Sequence, residues 1–151
     1  MINIKYLIWA LLAGSFIPVV GILNGRVGRA LGEPLHASIL LFAVAILLAV
    51  TVATLAGRGL PNIGDFRQLQ PVEYLAGFVV AFYVISATVL AGKIGVANFI
   101  VMAVSGQIIF SLLIDHFGLF GAPIRPVNLV QLGGASMLLG GLIITQLANG
   151  K

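Results

Sequence analysis

GQIIFSLLIDHFGLFG, residues 106–121, decides the fold. Its apolar run IIFSLLI ends on an aspartate and a histidine side by side, and a glycine follows two residues later. Such an ending is either chemistry held within a membrane or a helix that runs out of bilayer. The rest of the chain bears on the choice. Of the 151 residues, 60% are hydrophobic and only 8% are charged, and the mean hydropathy is +1.16. A soluble domain carries roughly a quarter of its residues as charges, so the solvent for this chain is lipid. The net charge of +4 does not point to nucleic acid, because nucleic-acid binders gather Lys and Arg on one face. Here the cations stand singly between apolar runs, as membrane flanks do. With no cysteine, disulfides and thiolate chemistry are excluded.

A spanning helix needs about 20 mostly apolar residues. Five segments meet this: Ile4–Leu23, Ala37–Ala56, Tyr74–Ala91, Val96–Ile114 and Val127–Leu147. The connectors NGRVGRALGEPLH, GRGLPNIGDFRQLQPVE, GKIG and DHFGLFGAPIRP hold nearly all the charge and five of the six prolines. The expectation is an all-α integral membrane protein forming one domain over residues 1–151, with no internal repeat. The first span has one Lys before its apolar run but lacks a paired small-residue cleavage site, so it reads as an uncleaved helix. Pro18 lies inside it, removes a backbone donor and leaves the Gly14 carbonyl without its usual partner. A kink near Gly14 is expected.

Every Lys, Arg, Asp and Glu falls at a span end or in a connector. At about 1.5 Å per residue, the fourth span places Ser105 and Gln107 near the bilayer centre and Asp115 near the interface. IDHFG is therefore where the helix leaves the hydrocarbon, and Gly118 suits the exit. The negative end of the helix dipole favours a protonated His116 and disfavours an ionised Asp115. Asp115 then calls for a partner, and Arg125 follows on the same side. An interfacial Asp115–Arg125 pair and a gate at a cavity mouth are both consistent with this. Gln107, Ser111 and Asp115 recur every four residues and share a helix face. That stripe serves either as interhelical glue or as the lining of a permeation path, since a buried amide must bond across helices or meet water. Tyr83, Ser105, Gln107 and Ser111 are the candidate substrate contacts; Asp115, His116 and Arg125 are the candidate gating or coupling groups. Gly133, Ser136 and Gly140 make a small-residue face on the fifth span, suited to close approach by another chain.

Orientation follows a Lys/Arg excess in short loops. One side carries Lys5, Arg58, Arg67 and Arg125; the other carries Arg26, Arg29, Lys93 and Lys151. The counts are equal, which predicts insertion both ways up and pairing of opposed copies into an antiparallel homodimer.

The stretches NGRVGRALGEPLHAS, AFYVISATVLAGKIGVA and VSGQIIFSLLIDHFGLFG resemble the YdcZ-like family of the drug/metabolite transporter superfamily, over residues from about 10 to 145. The resemblance implies a five-helix transporter half in the bacterial inner membrane, with the inverted repeat completed by a second copy. It places Asn24, Arg29, Lys93, Gln107, Asp115 and His116 in the family pattern. The superfamily's small multidrug-resistance branch uses a carboxylate midway along its first helix. Gly14 and Ser15 stand at that depth here, so that mechanism does not transfer. The resulting expectation is a small-molecule transporter working by alternating access. An accessory membrane subunit and a lipid-flipping module remain as alternatives. No nucleophile, metal-ligand cluster or phosphate loop suggests an enzyme or a cofactor.

Overall fold

The computed structural model describes residues 3–149. Among these residues seven α-helices follow in order: α1 Ile4–Ser15, α2 Ile17–Leu31, α3 Pro34–Leu55, α4 Ile63–Phe66, α5 Leu75–Ile94, α6 Val96–Phe117 and α7 Leu129–Asn149. No strand occurs among the described residues. Among the described residues, five helical stretches are long and apolar enough to cross a membrane: Ile4–Leu31, Pro34–Leu55, Pro71–Ile94, Val96–Phe117 and Leu129–Ala148. The chain divides after Val96 into two compact units.

In the N-terminal unit, the first span is interrupted at Phe16, two residues beyond Gly14. Pro18 sits in the first turn of α2, where its missing N–H costs nothing. The Gly14 carbonyl takes the Phe16 N–H instead, and the Phe16 carbonyl accepts from Val19 and Val20 at 3.1 and 3.3 Å. The second half of the span then runs through Asn24, Arg26 and Arg29 to Leu31. At 28 residues, the span measures up to about 42 Å along its axis, against a hydrocarbon core of about 30 Å. The excess carries the two arginines towards the interface without ending the helix. Gly32, at φ +74°, closes α2 in the left-handed conformation, and Glu33 caps α3 by accepting from the Leu35 N–H at 3.2 Å. The first connector is thus a two-residue turn, and α2 packs tightly against α3. A Cβ on Gly28 would stand 3.2 Å from the Pro34 Cα, and Ala37 opposite is fully buried. α5 packs on both helices.

The second connector is built from two reciprocal caps. The Asp65 carboxylate accepts from the Asn62 N–H at 3.0 Å, and that of Glu73 from the Gln70 N–H at 2.7 Å. The Tyr74 hydroxyl donates to the Phe66 carbonyl at 2.8 Å and ties α4 to the start of the next span.

In the C-terminal unit, α6 ends where IDHFG reaches Gly118, at φ +64°. A Cβ there would come within 2.6 Å of the Ile124 side chain, so both conformation and space require glycine. The returning chain binds back onto the last turn of α6. The Arg125 N–H donates to the Asp115 carbonyl at 2.7 Å, and the Val127 N–H to His116 Nδ1 at 3.2 Å. Asn128 and Gln131 cap α7 reciprocally, at 2.8 and 3.0 Å.

Candidate functional site

In a bilayer, apolar side chains face out and the informative residues are the buried polar ones. Asn24, Ser38 and Thr88 are 6%, 3% and 5% exposed, and they come from α2, α3 and α5. Small residues permit this meeting: Gly21, Asn24, Gly25 and Gly28 share one face of α2, and Pro34, Ala37 and Ser38 one face of α3. Thr88 is the hub. Its hydroxyl donates its single proton to the Val84 carbonyl at 2.8 Å, one turn back on α5. It must then accept from both neighbours: from Asn24 Nδ2 at 2.5 Å and from Ser38 Oγ at 3.4 Å.

Beside this network opens a cavity of about 460 Å³ lined by Gly25, Gly28, Arg29, Gly32, Pro34, Thr88, Val89, Gly92 and Lys93. Arg29 and Lys93 lie in the last turns of α2 and α5. Arg29 folds back along its helix, so that a Cβ on Gly25 would lie 3.9 Å from its Nη1. Around Gly32 and Gly92 a Cβ would meet nothing within 4 Å, so these glycines hold the space open. The volume falls within the ~300–1,000 Å³ range of small-molecule sites.

This arrangement occupies a chain whose sequence matches, over residues 5–144, the family described as "Putative inner membrane exporter, YdcZ". The chain belongs to the YdcZ family. It is a membrane transporter of the inner membrane, with five apolar helices able to span it. No curated protein and no solved structure matches it.

Of the residues singled out from the sequence, Tyr83 lies half-buried on α5 in the same unit as the cavity. Ser105 belongs to the C-terminal unit and lines a separate cleft of about 140 Å³ with Val101, Met102, Leu142, Ile143 and Gln146. Its hydroxyl donates to the Val101 carbonyl at 2.8 Å. The buried Gln146 Oε1 in that cleft has no hydrogen-bond partner among the described residues. Gln107 and Ser111 are exposed on α6, and the Ser111 hydroxyl donates to the Ile108 carbonyl at 2.9 Å. Asp115 and Arg125 come together through their backbones. His116 Nδ1 accepts from the Val127 N–H. On α7, Gly133, Ser136 and Gly140 form an uncovered face: a Cβ on either glycine would meet nothing within 4 Å, although Gly140 itself is only half-exposed.

Sequence reasoning did not assemble the network or the cavity. Asn24 reads as an end cap once the first span is closed at Leu23, and Thr88 carries no signal of its own. The available clue was the spacing Gly21–Asn24–Gly25–Gly28, which is a helix face continuing through the cations.

Proposed function

We propose that this chain exports a small molecule by alternating access as an antiparallel homodimer. In this reading the two units act as one membrane domain, and a second, inverted copy completes the inverted repeat of the drug/metabolite transporter superfamily. The observation that carries it is the Asn24–Ser38–Thr88 network beside the cavity of about 460 Å³. Packing among apolar helices needs no such group, whereas a solute crossing lipid needs polar contacts on its route. Tyr83, Ser105, Gln107 and Ser111 would add contacts as the two copies rearrange. Asp115, His116 and Arg125 would govern access. The open glycine face of α7 and the equal Lys/Arg counts support the pairing.

The test is purification of the full chain and reconstitution into liposomes loaded with a pool of small metabolites. The chain alone should cross-link as a dimer and deplete particular solutes from the lumen. Gly140→Leu, which sets a bulky side chain on the open face, should weaken the dimer and the flux together. A chain that is stable only with a different membrane protein, and moves nothing by itself, would favour an accessory subunit.

A further inference from the structure

The cavity described above has an unusual chemical bias. Its charged side chains are both cations, Arg29 and Lys93, set in an otherwise largely apolar lining. Arg29 presents five N–H groups and Lys93 three. The Thr88 proton is already committed to the Val84 carbonyl, and the remaining lining residues are glycine, proline and valine. No carboxylate among the described residues lines the cavity.

The reason lies in where the chain's four acidic residues are placed. Glu33, Asp65 and Glu73 each accept a backbone N–H at a helix start, and Asp115 ends α6 in the other unit. Glu33, the one nearest in sequence, caps α3 and does not enter the cavity. The helix C-termini of α2 and α5 lend only partial negative charge to the two cations.

We propose that this cavity binds a phosphate group, presented either by a soluble small molecule or by a lipid headgroup. Two formal positive charges match a phosphate monoester, which carries about −1.5 to −2 at pH 7, better than they match a single carboxylate. Against the singly charged phosphodiester of a lipid, the fit rests on the oxygen acceptors instead. The Arg29 guanidinium supplies a planar fork for two phosphate oxygens, and Lys93 a point charge for a third. The volume of about 460 Å³ leaves room for the rest of the molecule. Gly25, Gly32 and Gly92 let that molecule approach the backbone. The step from phosphate binding to the class of exported solute rests on the exporter reading; the binding itself does not.

The test is calorimetric titration of inorganic phosphate into the full chain in maltoside micelles, which contain no phosphate, at fixed ionic strength. Saturable binding is expected. Arg29→Gln and Lys93→Gln should each weaken it roughly tenfold or more, as loss of a charge-assisted bond does, with Arg29→Lys and Lys93→Arg losing less. Gly92→Leu is the decisive variant, because it fills the cavity while keeping both charges, at a helical position with open space around it. It should abolish binding. Added phosphatidylglycerol should compete with phosphate if a lipid headgroup is the occupant, and leave the isotherm unchanged if a soluble molecule is. Binding that survives Gly92→Leu, or is indifferent to both glutamine variants, overturns the proposal and leaves the cations as helix-end charges facing the interface. Phosphate binding with these sensitivities in a chain that exports nothing would sustain this inference and remove the exporter reading instead.

Discussion

Thr88 shows how much one hydroxyl can organise when water is absent. It donates along its own helix and accepts from two others, so three spans share one oxygen. Thr88→Val keeps the shape but leaves the Asn24 amide and the Ser38 hydroxyl without their acceptor. The expected loss is about 1–3 kcal/mol, the cost of buried donors left unmade. Thr88→Ser, which keeps the oxygen, should lie near the parent in thermal unfolding of the detergent-solubilised protein. Equal unfolding temperatures for the parent and the valine variant would show that the network contributes nothing to stability. Hydroxyls in membrane helices are poor sequence signals because their own backbone can satisfy them: Thr51, Ser105, Ser111 and Thr145 all bond to carbonyls three or four residues back. A carboxamide has two donors and an acceptor, and needs more. Asn24 was therefore the stronger clue, and its meaning was hidden because its partner Thr88 lies 64 residues away and Ser38 is met only through Thr88.

Among the elements, the helical class, the number of spans and the exit at IDHFG were all legible, because apolar runs of bilayer length leave few alternatives. The end of the first span was not. Arg26 and Arg29 look like flanks, but a helix longer than the hydrocarbon keeps its hydrogen bonds past the interface, and the turn waits for Gly32. Moving that boundary by eight residues changes the site, since it turns a loop into one wall of the cavity. The α2–α3 pairing rests on Gly28, whose α-hydrogen faces the Pro34 backbone. Gly28→Val places a branched side chain against main-chain atoms that cannot swing aside. Overpacking of this kind costs about 1–3 kcal/mol, and here it should also separate the network. Gly25→Ala serves as the control, because its Cβ would meet only the mobile end of Arg29, at 3.9 Å. Unfolding temperatures should fall for the valine variant and hold for the alanine one. The opposite order would place the close contact elsewhere.

For the whole molecule, the deciding quantity is the balance of cations between the two sides. By span counting, four Lys and Arg fall on each side, a balance that would give the translocation machinery no preference. The proposed antiparallel dimer needs that neutrality, because a fixed orientation would deny each copy an inverted partner. Neutrality is easily disturbed, which makes it testable. Two added lysines in the connector between the second and third spans should settle the protein one way up, with that connector cytoplasmic. The positions must spare the caps at Asn62, Asp65, Gln70 and Glu73 and the left-handed glycines at 57 and 59. Leu60 and Gln68 are exposed, and the Gln68 N–H donates to the Asp65 carbonyl at 3.2 Å, a backbone bond that a lysine keeps. Leu60→Lys with Gln68→Lys changes the count from 4:4 to 6:4. A C-terminal reporter should read both sides for the parent and predominantly one side for the double variant, and cross-linked antiparallel dimers should decline in step. Co-expressing a copy biased the other way should restore them. A parent protein whose reporter reads one side alone would end the antiparallel arrangement, whatever the cavity binds.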